Sequence, residues 1–199
     1  MYRPLIPTVA IVSLGAAAAA QDGCATAADL ARGITLDFDD ATSEVYRAAG
    51  PGIQTVEGRD DAGPYYGLRI AQGTHLLEYF DIVDGQPDAG SRQEYDYGTA
   101  PADLPVPTPG GRFSAEVTVA ASDGVRTEAQ TQAYVAGEPL AVGGCTYDTV
   151  QAVIAYDTTD NYIESVSYLP ELGIGYLVWN ESDGVRSEDT IVTAIRTGK

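Results

Sequence analysis

Three features of this sequence predict an all-β protein. Apolar and polar residues alternate with a period of two, as in Ile34, Leu36 and Phe38 against Thr35, Asp37 and Asp39. Asp-Gly pairs at Asp84-Gly85, Asp123-Gly124 and Asp183-Gly184 separate alternating runs, and glycine accepts the positive φ that a tight hairpin needs. Tyrosine, valine and isoleucine are plentiful, with 13 tyrosines in 199 residues, while helical patterning is confined to one short stretch. The expected architecture is an antiparallel meander, a sandwich or a partly closed barrel of about 10–12 strands.

Residues 1–20 read as a signal peptide. Arg3 and the amino terminus supply a positive start, Leu5 to Ala20 carry no charge, and Ala18-Ala19-Ala20 has the small-residue cleavage pattern. The apolar run is short for a membrane span and is interrupted by Pro7. No second apolar run of spanning length follows, so no transmembrane span is expected after signal removal. A lipid-anchored Cys24 would want a leucine near three residues before it and small residues beside it. Gln21, Asp22 and Gly23 stand there instead, which favours soluble export to the periplasm or the exterior.

Export gives the two cysteines a simple reading. In an oxidising compartment Cys24 and Cys145 have one intramolecular pairing open to them, a disulfide. A loop of roughly 120 residues closed in this way restricts the unfolded chain by about 4–5 kcal/mol. Reactive thiols are the alternative, but there is no C-x-x-C spacing and the acidic surroundings raise a thiol pKa.

Along the mature chain, Thr26 is placed to cap a short helix over Ala27 to Arg32, stopped by Gly33. Strands follow at Ile34–Phe38, Tyr65–Ile70, His75–Val83, Arg92–Tyr97, Arg112–Ala120 and Val125–Val135. The C-terminal part adds Thr149–Tyr156, Tyr162–Tyr168, Ile174–Trp179 and Arg186–Ile195. The segment Thr99–Gly111 has four prolines and no strand pattern, and reads as a stiff extended connector between an N-terminal lobe (21–98) and a C-terminal lobe (112–199). A duplication is one reading of this division; one continuous domain is the other. Ser122-Asp123-Gly124-Val125-Arg126 recurs as Ser182-Asp183-Gly184-Val185-Arg186. Leu36-x-Phe38-Asp39, followed by Glu44-Val45-Tyr46 and Gly52-Ile53, lines up with Ile154-x-Tyr156-Asp157, followed by Ile163-Glu164 and Gly173-Ile174.

Charge and missing motifs exclude several function classes. The 29 acidic residues against 11 basic give a net charge of −18, which argues against a nucleic-acid partner because phosphate-backbone binding needs a basic face. His75 is the lone histidine, and it sits in a strand pattern with no nucleophile elbow nearby, so a Ser–His–Asp or Cys–His relay is not expected. One histidine and two bridged cysteines do not make a zinc site. Gly50-Pro51-Gly52 and Gly173-Ile174-Gly175 continue into no phosphate-binding fingerprint, and no cofactor is expected.

Carboxylates remain the abundant reactive groups, at Asp37, Asp39 and Asp40, at Asp60 and Asp61, and at Asp157 and Asp160. Paired acids serve glycoside hydrolysis when about 5–9 Å apart, or hold calcium through six or more oxygens, and neither arrangement follows from these spacings. Aromatic residues are the stronger lead. Tyr66, Tyr79, Tyr95, Tyr97, Tyr168 and Trp179 are candidates for a ligand groove, against the alternative that they fill core edges and cross-strand pairs.

The run Tyr168-Leu169-Pro170-Glu171-Leu172-Gly173-Ile174-Gly175 resembles the tyrosine–x–proline–x–x–glycine elbow of an uncharacterised family of exported bacterial β-rich proteins, including relatives of the half-barrel periplasmic lipoprotein carriers. The resemblance implies an open, curved sheet. Those carriers close theirs with helices that this chain lacks, and no catalytic residue carries over. The reading is therefore an exported, non-catalytic β-rich binding or envelope-associated protein whose partner is a protein or an apolar or sugar-like ligand. The alternatives are a glycosidase-like hydrolase drawing acids from Asp37–Asp40 or Asp157–Asp160, and a calcium-stabilised structural domain.

Overall fold

Strand-forming sequence governs nearly the whole chain in a computed structural model that describes residues 23–158 and 160–198. The expected signal peptide lies outside the described residues. Sixteen strands follow one another: β1 (Ile34–Phe38), β2 (Ser43–Gly50), β3 (Ile53–Asp60), β4 (Gly63–Ala71), β5 (His75–Val83), β6 (Gln86–Pro87), β7 (Gln93–Asp96), β8 (Arg112–Ala121), β9 (Gly124–Ala136), β10 (Leu140–Val142), β11 (Cys145–Tyr147), β12 (Val150–Tyr156), β13 (Ile163–Leu169), β14 (Ile174–Ser182), β15 (Val185–Arg186) and β16 (Val192–Thr197). All but β10 and β11 belong to one antiparallel sheet in the order β15-β14-β13-β12-β9-β8-β7-β5-β4-β3-β2-β1-β16, with β6 paired to β5 off this path. The two expected lobes share this ladder, joined where β7 pairs β8 and where the C-terminal β16 pairs β1.

The sheet curls without closing into a barrel, and its two ends pack together. Ile34, Leu36, Phe38 and Tyr46 of β1 and β2 share one core with Leu169, Leu172, Ile174 and Tyr176 near the other end. Five of these eight (Ile34, Leu36, Leu169, Leu172 and Ile174) are 0% exposed, and each such aliphatic side chain stabilises the packing by about 1.5–3 kcal/mol. The Tyr46 hydroxyl reaches across the interior to lie 3.0 Å from the Gly175 carbonyl. Gly175 lies so close to the Gly73 carbonyl that any Cβ there would collide with it.

The disulfide Cys24–Cys145 is present, with Cα atoms 5.8 Å apart. It ties the start of the described chain to the small β10–β11 hairpin. Around it the Ala25 amide donates to the Tyr147 hydroxyl at 3.0 Å, and Ala25, Leu30, Val142 and Tyr147 join the same core.

Several local expectations need correction. The segment expected as a short helix is a 3-10 turn over Ala27–Ala31: Asp29 reaches back to the Thr26 amide at 2.9 Å, and Gly33 at φ +104° ends it. The strand expected over Arg186–Ile195 is two. After Arg186 the polar run Ser187-Glu188-Asp189-Thr190 offers no inward apolar residue, and the chain crosses from the β14–β15 end of the sheet to pair with β1 as β16. Strands β2 and β3 were absent from the expected set. Of the expected hairpins, Asp84-Gly85 and Asp183-Gly184 have positive φ at both residues, as a type I′ turn requires, while the β8–β9 loop is Ser122-Asp123 with Gly124 at φ +137°. The proline-rich segment 99–111 includes a 3-10 turn at Pro101–Asp103. It lays Leu104, 3% exposed, into a core with Ala71, Tyr97, Val117 and Val119.

Candidate functional site

Curling of the sheet leaves a cavity of about 640 Å³ between its facing halves. Two glutamates, each held by tyrosines, stand in its wall. On one side, Glu44 of β2 lies opposite Gly58 of β3, which lies opposite Tyr66 of β4. Gly58 has no Cβ, so the Tyr66 ring lies flat across β3 in the space a side chain would fill. The Tyr66 hydroxyl thereby donates to Glu44 Oε1, and Tyr46, two residues along β2, donates to Glu44 Oε2. Glu44 is 8% exposed, and burial pushes its carboxyl above the usual glutamate range against the opposing pull of the two phenols.

The opposite wall repeats the device. Tyr156 at the end of β12 donates to Glu164 Oε1 on β13, and the Tyr162 hydroxyl lies 3.5 Å from Oε2. Burial raises the Glu164 carboxyl too, and the nearby negative charge of Glu128 adds to it. The phenols are perturbed in the same direction: burial raises Tyr46, Tyr66, Tyr156 and Tyr162, so all four remain hydroxyl donors at neutral pH.

Between these walls runs an inward row of long polar side chains on β9. Glu128, Gln130 and Gln132 are buried while Thr127, Ala129 and Thr131 face out, the reverse of an ordinary half-buried strand. The row is cross-bonded: Gln130 Nε2 donates to Glu128 Oε1 at 2.8 Å, Tyr97 to Gln130 Oε1 at 3.0 Å, and Tyr134 to Gln132 Oε1 at 2.8 Å. His75, 0% exposed, ends it, with Nε2 2.9 Å from the Pro105 carbonyl and Nδ1 3.2 Å from Gln132 Nε2. Burial lowers its pKa; the ring is neutral at physiological pH, donating to Pro105 and accepting from Gln132.

Of the six groove candidates, Tyr66, Tyr79 and Tyr95 line the cavity. Burial raises the latter two phenols to about 12 each. The other three lie elsewhere. Tyr97 is buried against His75, with ring centroids 5.5 Å apart. Tyr168 packs on Gly73, where a Cβ would strike its ring. Trp179 lies beneath the Arg186 guanidinium at 4.2 Å.

Four of the expected acids have partners beside them. Asp37 pairs with Arg196 at 2.5–2.6 Å, Asp39 accepts from the Ile191 amide at 3.1 Å, and Asp40 caps the turn at Thr42 at 2.7–2.9 Å. Asp160 receives the Ser182 hydroxyl at 3.0 Å. Asp40 and Asp160 also reach the cavity lining. Among the described residues, no three His, Cys, Asp or Glu side chains group closely enough to hold a metal ion. Sequence reasoning passed over Glu44, Glu128 and Glu164 as functional residues. The signal for two of them was present in the repeat, which set the Glu44-Val45-Tyr46 segment against Ile163-Glu164.

No family model matches the sequence, and no curated protein matches it. One solved structure, that of the hypothetical lipoprotein YmcC from Escherichia coli (K12), is 11% identical and superposes with a TM-score of 0.44 over 84% of this chain and 87% of that one.

Proposed function

We propose that this chain is an exported, non-catalytic binding protein that takes a small ligand into the tyrosine-lined cavity. One observation carries the reading: a space of about 640 Å³, within the range of small-molecule sites, is walled by aromatic rings and a few fixed polar groups. The Cys24–Cys145 bridge supports an oxidising compartment. Absence of catalysis is supported by the fate of His75, which spends both ring nitrogens on structural partners.

A carboxylate hydrolase is the second reading, favoured by the raised Glu44 and Glu164. Acid–base work needs two carboxyls whose environments drive their pKa values apart, whereas burial and paired phenols treat these two alike.

A thermal-shift panel of neutral sugars, aliphatic alcohols and primary amines tests the binding reading. A ligand at 100 times its dissociation constant stabilises the fold by about 2.7 kcal/mol. The expected result is a saturable rise in melting temperature with at least one class, lost in the cavity-filling variant Leu76→Trp. Turnover of chromogenic glycosides, esters or phosphates by the purified protein would overturn the non-catalytic half of the proposal.

A further inference from the structure

We infer that the ligand is a small organic ammonium ion, with Glu44 and Glu164 supplying the countercharge and the tyrosine rings the walls. The inference rests on the cavity being a binding site and adds the chemical class of its occupant. Glu44 accepts hydrogen bonds from Tyr46 and Tyr66, and Glu164 from Tyr156 and Tyr162. Among the described residues, the ion pairs formed by arginine go to Asp29, Asp37, Glu57, Glu78, Glu128 and Asp189, and to neither of these two glutamates. A carboxylate withdrawn from water without a cation is costly, and it resolves by taking up a proton or a positive ligand.

The rest of the lining selects among ligands. Asp40, Glu44, Glu128, Asp160 and Glu164 face the cavity against Arg126, whose guanidinium is already directed at Glu128, 3.8 Å away. An anion is repelled. A neutral sugar satisfies hydroxyl partners but leaves the two carboxylates uncompensated. Metal ions lack a donor set among the described residues. An ammonium head offers N–H donors to carboxylates and positive charge to aromatic faces, while its hydrocarbon body meets Leu68 and Leu76.

The test is isothermal titration of the mature, oxidised protein at neutral pH with matched probes: benzylamine against benzyl alcohol, and cyclohexylamine against cyclohexanol, with glucose as a neutral sugar. Each amine should bind at least about tenfold more tightly than its alcohol, as charge-assisted bonds and cation–π contact require. Glu44→Gln and Glu164→Gln, checked for an unchanged circular-dichroism spectrum, should each remove about tenfold of amine affinity and change alcohol affinity by a clearly smaller factor. An alcohol or glucose that binds as well as the amines refutes the ammonium assignment and leaves the cavity a binding site. So does an amine affinity indifferent to both substitutions. No heat with any probe refutes the ammonium assignment and counts against the binding reading as well. Should the glutamine variants fail to fold, the amine–alcohol comparison in the unmodified protein decides the matter alone.

Discussion

Replacing both Cys24 and Cys145 by serine should cost this protein a large share of its stability. The bridged residues are 121 positions apart, so the cross-link restricts the unfolded state over most of the chain. The loop-entropy relation converts that separation to about 5 kcal/mol at room temperature. Total stabilities of about 5–15 kcal/mol set the scale, so the double variant is expected to be marginal. The structure also says where the loss begins. The bridge fastens the Ala27–Ala31 turn and the β10–β11 hairpin; without it that end is held by the Ala25–Tyr147 and Ala27–Glu171 hydrogen bonds, at 3.0 and 2.9 Å, and by the core packing of Ala25, Leu30, Val142 and Tyr147. Urea unfolding followed by tyrosine fluorescence is the assay, with the oxidised parent as reference. The midpoint should fall by an amount equivalent to about 3–5 kcal/mol, and the melting temperature by about 6–20 °C for a chain of this size. A double variant within about 1 kcal/mol of the parent would refute the reasoning, since the non-covalent contacts alone would then suffice.

Glu44→Gln should alter stability in a pH-dependent way. Burial raises this carboxyl, so from the unfolded value near 4.5 up to its folded value the native protein holds a proton that the unfolded chain releases. That contribution is present in acid and lost as pH rises through the window; the variant should therefore gain on the parent from about pH 4.5 upward, in urea midpoints taken across pH. His75, lowered by burial, acts oppositely below its unfolded value of 6.5 but is common to both proteins and cancels in the difference. In alkali, the buried tyrosines hold their protons beyond their usual value of about 10, so stability should fall above pH 10 and phenolate absorbance should rise together with unfolding. Smooth ionisation near pH 10 with the fold intact would contradict the burial of these rings. Gly58→Ala should cost about 1–3 kcal/mol by driving the Tyr66 ring off β3, and should weaken amine binding through loss of the Tyr66–Glu44 bond; a neutral outcome in both would remove the role given to this glycine.

The legibility of the sequence tracked how far each strand obeys hydrophobic-in, polar-out alternation. β1 is read directly, because Ile34, Leu36 and Phe38 point into the core. β2 and β3 escape notice because their inward positions include Glu44, Gln54 and Gly58 beside Tyr46 and Val56, a pattern that looks like solvent on both faces. β2 supplies Glu44 and Tyr46 to the cavity wall and β3 the glycine across which Tyr66 reaches Glu44, so the candidate site hides where the folding pattern is locally broken. β9 is recognisable as a strand, yet the inward orientation of its Glu128, Gln130 and Gln132 face is set by curvature of the sheet, which alternation does not encode. The disulfide is legible from counting alone. The groove candidates divide by position: Tyr66, Tyr79 and Tyr95 stand at the cavity, while Tyr97 and Tyr168 are drawn into core and Trp179 into a stack with Arg186, distinctions that depend on which sheet end meets which.

Native mass spectrometry of the mature protein, taken from the cells that make it, addresses the central claim most directly. The account predicts a polypeptide two hydrogens lighter than its reduced form and carrying a non-covalent small-molecule adduct, with that adduct missing from Glu44→Gln and Glu164→Gln protein prepared identically. A bare oxidised polypeptide from the unmodified gene, with no retained mass under the gentlest desolvation, would contradict it.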